Sequence, residues 1–360
     1  MNEVRQQIRF GKSRDGIRIA YASIGKGPPL VKAATWFSHL EFDLKGPVWG
    51  HWHDEFSRQH TLYRYDRRGC GLSDWEGEQS LEAFHTDLET VVEAAGLDKF
   101  VLFGMGHGGT VATAYAARHP ERVSHLILFG AYARGRRIRH QDPRALAETE
   151  LNLKLVELGW GGEDAAFHHF FTAQFMPDGT TEQMRWLIQL QRVSTSGEHA
   201  VRHLDAVFNM DVSALAPQVR CPTLIVHPNA DMRITFEEGR LLASLIPGAR
   251  FVPLPTRNHF LLETEPAWTQ FVAELRSFLP SPKASIPGFA ELSSREDEVI
   301  ELVAHGLDNA QIAAWLALSE KTVRNHITAI FTKLEVDSRA QAIVRARDAG
   351  YPRKPLRAGG

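Results

Sequence analysis

Two cysteines, Cys70 and Cys221, are all that the 360 residues contain, and they lie far apart in sequence. So sparse a thiol content excludes a disulfide scaffold and suits a reducing compartment with both thiols free. Net charge is nearly absent as well: 41 Lys and Arg against 43 Asp and Glu leave −2. That argues against indiscriminate binding of nucleic acid or membrane by the whole molecule, although a local basic face remains open. No apolar run approaches the roughly 18 residues needed to cross a bilayer. Met1 to Phe10 is polar and lacks the apolar centre of a signal peptide, so a cytoplasmic location is expected. His51-Trp52-His53 and His168-His169 have no acids at ligand-like spacing. They read as ordinary surface or core histidines, and no metal or cofactor is expected.

What is present is an alternation. Residues 6–10, 17–23, 30–34, 62–65, 100–103 and 123–129 read as strands, with helical patterns at 48–56, 80–95 and 110–118 between them. Near-continuous apolar strands separated by helices predict a mainly parallel sheet covered on both faces. Residues 131–212 break the alternation with helices rich in aromatics, placed where a cap over the carboxyl ends of the strands would form. Strands then resume at 223–227 and 250–254, and a last helix spans 266–279. Pro280 to Gly288 is a proline-stiffened linker. Four short helices follow, each opened by a capping residue: Ser293 with Glu296, Asp308 with Gln311, Ser319, and Ser338 with Gln341. The expected domains are 1–280 with a helical cap at 131–212, a linker at 281–288, and an all-α four-helix domain at 289–360.

The strand at 100–103 runs into Gly104-Met105-Gly106-His107-Gly108-Gly109 and then into a helix. Glycines there let the backbone turn sharply and let strand and helix pack closely. Together with Ser38-His39-Leu40-Glu41, the turn from Asp66 to Asp74, and His119-Pro120-Glu121-Arg122-Val123, this stretch resembles the α/β-hydrolase family. The resemblance covers residues 1 to about 280 and implies the α/β-hydrolase fold, with a nucleophile at the middle of the turn. It implies Asp231, after one strand, as the triad acid and His259, after the next, as the triad base. The departure is Gly106, which stands where the family carries serine.

A histidine–aspartate pair can activate a hydroxyl, but here no hydroxyl is placed to attack, so acyl transfer through a serine ester is not available. What survives is the backbone: the His107 amide at a helix N-terminus, with one from the loop around Phe37, can bind a carbonyl or carboxylate oxygen. An apolar cap over a few fixed polar groups describes a small-molecule site. The expected contacts on the sheet side are Trp36, Phe37, His39, Met105, Gly106, His107 and His259. From the cap, Trp186 and Phe208 join them.

In the C-terminal part, the third helix has an apolar stripe of Val323, Ile327, Ile330, Phe331 and Leu334. Lys321, Thr322, Arg324, Asn325 and Thr328 occupy its other face. The preceding helix and the turn Ala317-Leu318 complete a helix-turn-helix, whose second helix enters the major groove. From Ser319 onward basic residues, among them Arg353, Lys354 and Arg357, outnumber acidic ones. Leu292 to Val299, Gly306, Asn309, Ile312-Ala313, Ser319 to His326, Lys333-Leu334 and Arg339-Ala340 together resemble the LuxR-type DNA-binding domain. The resemblance implies that Lys321, Thr322, Arg324 and Asn325 face DNA and that Lys333 meets phosphate. It further implies that the fourth helix around Ala342 to Ala346 mediates dimerisation. Asp308, where the family often has a small residue, is a departure that its capping role explains.

The expected function is a ligand-responsive transcription regulator. A catalytically degenerate hydrolase domain would hold a small, largely apolar molecule and modulate binding of a homodimer to operator DNA. Its partners would be that ligand, the operator and the transcription machinery, with no membrane. The rival is a serine-independent hydrolase or lyase using His259 and Asp231 as a general base, tethered to a DNA-binding domain. A third reading, a constitutive regulator whose first domain only dimerises, requires a filled-in pocket.

Overall fold

The apolar runs of the first domain assemble into one eight-stranded sheet, ordered β1-β2-β4-β3-β5-β6-β7-β8. The strands are β1 Gln7–Lys12, β2 Arg18–Gly25, β3 Pro29–Lys32, β4 Thr61–Tyr65, β5 Phe100–Met105, β6 Val123–Phe129, β7 Thr223–Pro228 and β8 Arg250–Leu254. The β1–β2 and β2–β4 pairs are antiparallel, and every pair from β4 to β8 is parallel. Parallel strands need crossovers, which the helices α1 Gly50–Ser57, α2 Leu81–Ala94 and α3 His107–Arg118 supply. The computed structural model describes residues 6–160, 165–279, 288–289 and 291–352. It divides into two units, Met1–Leu275 and Arg276–Gly360. The linker expected at 281–288 lies outside the described residues except at Gly288, as do Arg353, Lys354, Arg357 and the side chain of His168.

Burial follows the pattern of the sequence. Every residue of β5 and β7 is buried, as a parallel strand covered on both faces requires. The alanine-rich α3 is buried from His107 to Ala116 and lies tight against the sheet. A β-carbon on Gly109 would overlap Ala131, so the close approach of helix to β6 depends on that glycine. Ser80 caps α2 by accepting from the amide of Ala83.

Among the described residues between β6 and β7 are five α-helices, α4 Arg136–Arg139, α5 Pro143–Gly159, α6 Ala165–Ala173, α7 Thr181–Ser194 and α8 Gly197–Phe208, and a short 3-10 turn at Ala216–Gln218. An isolated antiparallel bridge between Arg134 and Asp211 ties the two ends of this insertion together. Asp142 with Pro143 opens α5, a Thr180–Gln183 capping box opens α7, and Ser196 caps α8. The sheet then finishes through α9 Phe236–Leu245 and α10 Pro266–Phe278.

The second unit is α11 Ser294–Ala304, α12 Asn309–Leu316, α13 Glu320–Leu334 and α14 Arg339–Asp348. Capping boxes at Ser293–Glu296 and Asp308–Gln311 start the first two, and Ser319 and Ser338 cap the others. Val299, Ile300, Val303, Ile312, Val323, Ile330 and Leu334 form its core. Each such side chain contributes about 1.5–3 kcal/mol when fully buried. Ala317 ends α12 in the left-handed conformation, φ 53, and redirects the chain into α13.

Candidate functional site

Gly106 joins β5 to α3 at φ 53 and ψ −128, a conformation that L side chains rarely adopt, and its amide donates to Phe129 O at 3.0 Å. The sharp turn presents its Cα to the carboxyl end of the sheet. Asp231 follows β7 and His259 follows β8, and the two meet with His259 Nδ1 donating to Asp231 Oδ2 at 2.7 Å. Because the carboxylate only accepts, this bond fixes the tautomer and leaves Nε2 as the free lone pair. The other oxygen of Asp231 accepts from the amides of Arg233 and Ile234 at 2.7 and 3.0 Å. Burial alone would raise the Asp231 carboxyl. The neighbouring imidazole and these amides outweigh it and hold the group below the ordinary carboxylate range. A β-carbon placed on Gly106 would stand 3.2 Å from His259 Nε2 and 3.7 Å from Thr35 Oγ1. A hydrogen-bonded aspartate–histidine pair is therefore assembled around a position that carries no side chain.

The loop ahead of the elbow is held from below. Buried Asp66 accepts from Ser38 Oγ at 2.7 Å and from the amides of Leu40 and Leu72 at 3.1 and 2.9 Å. It thereby pins the 38–41 segment to the 66–74 turn. Burial, reinforced by the charge of Asp43, lifts its pKa to about 6.

Above the elbow lies a cavity of about 50 Å³, counted as the space open to the centre of a water molecule. Trp36, Gly106, His107, Phe208 and His259 line it, five of the nine contacts expected from sequence. The other four do not, and each for a visible reason. Phe37 packs behind Trp36 with ring centroids 4.5 Å apart, against Trp160 at 4.8 Å and beside the Arg67 guanidinium, and so does not reach the cavity. Met105 is fully buried in β5 and offers only its carbonyl, which accepts from Thr35 Oγ1 at 2.8 Å. His39 turns back on its own loop, where Nδ1 accepts from the Phe42 amide at 3.4 Å. Trp186 stacks on Phe42 and lies over Gly46.

Three arginines line the cavity and were not expected: Arg136 and Arg139 from α4, and Arg233 from the loop after β7. Among the described residues, no carboxylate lines the cavity. Arg136 is partly balanced, with Nε donating to Thr149 Oγ1 at 3.0 Å and Nη2 ion-paired to Glu148 Oε2 at 3.6 Å. Arg139 is not, since its Nε and Nη1 are buried without a partner. Arg233 donates from Nη1 to the neutral Gln174 at 3.0 Å, and its guanidinium lies over the Phe175 ring at 5.0 Å. Burial, with Arg136 and Arg139 nearby, brings its pKa down to about 10. His107 is kept neutral by burial and by the positive charge of Arg67. The one signal in the sequence was local: four arginines within residues 134–139.

In the second unit α13 presents Lys321, Arg324, Asn325 and Thr328 to solvent, while Val323, Ile327 and Ile330 face inward. Thr322 is half-buried at the helix start, its amide donating to Ser319 Oγ at 3.1 Å. Lys333 departs from the expectation of a phosphate contact. Its ammonium is held by Glu296 Oε2 at 2.7 Å and by the Glu291 carbonyl at 3.0 Å, which ties the end of α13 to the start of α11. The fourth helix, expected to mediate dimerisation around Ala342 to Ala346, divides into a buried and an exposed face. Ala342 and Ala346 are both 0% exposed and belong to this unit's own core, so the outward face of α14 is that of Val344, 59% exposed.

Comparison with known proteins agrees with this geometry. Residues 45–266 match the alpha/beta hydrolase fold family, and the chain belongs to it. Residues 290–346 match the bacterial regulatory proteins of the luxR family, so the protein is an α/β hydrolase fold joined to a LuxR-type DNA-binding domain. The pyrrolizixenacetamide deacetylase of Xenorhabdus hominickii is 26% identical over 269 residues, covering 73% of this chain and 95% of that protein. The transcriptional regulatory protein DesR of Bacillus subtilis is 35% identical over 100 residues, 26% of this chain and 50% of that one. An esterase from Exiguobacterium antarcticum superposes with a TM-score of 0.66 at 22% identity, over 76% of this chain and 99% of that chain, and shows the fold alone.

Proposed function

We propose that the chain is a one-component transcription regulator whose hydrolase-like domain senses a small molecule rather than turning it over. The observation that carries the proposal is the assembled Asp231–His259 pair facing Gly106, with a lined cavity above it and no nucleophile. Ligand occupancy acts by favouring one arrangement of the protein over another, and only to the extent of its differential affinity for the two. The DNA-binding unit works as a homodimer on two-fold related half-sites, through Lys321, Arg324 and Asn325, and communicates with the transcription machinery. The domain limits proposed are 1–280 and 289–360. The presence of a cavity speaks against a first domain that serves dimerisation alone. The test is operator binding with and without cavity ligand: unchanged affinity and unchanged transcription with every bound molecule would sink the sensor reading.

The ordered His259–Asp231 bond favours one second reading, general-base chemistry on water or an acidic carbon without serine. Turnover that is lost in His259→Ala with ligand binding retained supports it.

A further inference from the structure

Positive charge is the unexplained property of the cavity. Arg139 and Arg233 converge on it from two separate segments, α4 in the cap and the loop after β7. Neither has a carboxylate partner among the described residues. Of the acids nearby, Asp231 is engaged by His259 at 2.7 Å, and Glu238 binds Arg134 through Oε1 at 2.8 Å while its buried Oε2 bonds to neither arginine. An arginine does not shed its proton to escape burial, so these charges stay and repel each other until an anion arrives. The walls beside them are Phe175, Leu204, Val207 and Phe208, which offer apolar surface and no hydrogen-bonding groups.

We propose that the cavity takes an apolar organic acid whose carboxylate is gripped by Arg139 and Arg233. The planar guanidinium matches a carboxylate in a two-point bond that a point charge cannot make. The anion therefore sits at the cap arginines, and the floor left by Gly106 receives part of the apolar body or a neutral carbonyl. The assignment rests on the sensor reading and sharpens it. It also supplies a link between ligand and fold, because the amide of Arg233 is bonded to Asp231 at 2.7 Å while Arg139 belongs to the cap. A carboxylate bridging the two arginines ties the cap to the sheet.

The experiment uses the full-length protein and a panel of phenylacetate, 3-phenylpropionate, hexanoate and octanoate, each beside its neutral primary amide. Affinities are measured by calorimetry at constant ionic strength for the wild type, Arg139→Met, Arg233→Met and Arg144→Ala. Arg144 is the control, since it does not line the cavity. At least one acid is expected to bind at least about tenfold tighter than its amide, because charged hydrogen bonds in a desolvated site outweigh neutral ones. Arg139→Met and Arg233→Met should each erase most of that difference and leave amide binding unchanged, while Arg144→Ala does nothing. Arg233→Met also removes the contact with Phe175, so Arg139→Met, which relieves an unpaired buried charge, is the cleaner variant. Amides that bind as well as acids, acids insensitive to Arg139→Met, or no binding of any acid overturn the assignment. If amides bind and shift operator affinity, the carboxylate site falls and the sensor stands. If acids bind through Arg139 and operator affinity never moves, the site stands and the sensor falls.

Discussion

His259 Nε2 lies 3.2 Å from the point where a β-carbon on Gly106 would stand. The imidazole is thus aimed at the elbow position, and on the proposed reading one side chain there separates the site from a complete triad. Gly106→Ser should restore it. The variant is strained at φ 53 and should lose on the order of 1–3 kcal/mol of stability. Mass spectrometry after incubation with p-nitrophenyl acetate should show one acetyl group on Gly106→Ser, none on the wild type, and none on Gly106→Ser with His259→Ala. Acetylation of the wild type at another residue in the cavity would contradict this.

Acid should destabilise the hydrolase-like unit above the ordinary carboxylate range. His53, His107 and His203 are held well below their usual value by burial, and burial also brings His85 down to about 4. Groups with depressed pKa bind fewer protons folded than unfolded, so the stability they confer is present above about 6.5 and is lost as pH falls toward 4. Asp66, raised to about 6, opposes part of that loss. The melting temperature should therefore fall between pH 7 and pH 5. His203→Leu, which replaces an imidazole with both nitrogens buried and unpartnered, should flatten the slope.

Two basic residues of α13 should behave oppositely. Arg324 is exposed on the outward face, and Arg324→Ala should weaken operator binding and reduce the salt slope by about one. Lys333→Met should leave both unchanged and lower the stability of the C-terminal unit by about 1 kcal/mol, because it breaks the ion pair with Glu296. Anisotropy titrations at several salt concentrations, beside thermal melts, separate the two effects.

Dimerisation through α14 should depend on Val344 and not on the buried alanines. Val344→Glu should lower the cooperativity of binding to paired half-sites and leave the unfolding free energy within about 0.5 kcal/mol of wild type. Ala346→Leu should instead destabilise the unit by overpacking, by about 1–3 kcal/mol. Sedimentation on DNA of one and two half-sites gives the readout.

The elbow, the Asp231–His259 order and the helix caps were legible in sequence because each is written in adjacent residues or in chain order. Ser293–Glu296 and Asp308–Gln311 close as capping boxes as their spacing predicts. What sequence missed is set by side-chain direction and by distant segments meeting. Trp36 and Phe37 are neighbours, yet only the first lines the cavity. Arg139 and Arg233 are brought together by the cap folding over the sheet, which no local pattern encodes. The ion pair of Lys333 was hidden for the same reason: its partner Glu296 lies far upstream.

The most direct test is the operator affinity of the full-length protein, measured by anisotropy at fixed salt with and without saturating cavity ligand, with the ligand analysed afterwards. DNA selected by the protein from a random-sequence pool supplies the operator. The account predicts that affinity changes by at least about fivefold and that the ligand is recovered intact. Unchanged affinity, or a ligand converted to product by the wild type, would contradict it.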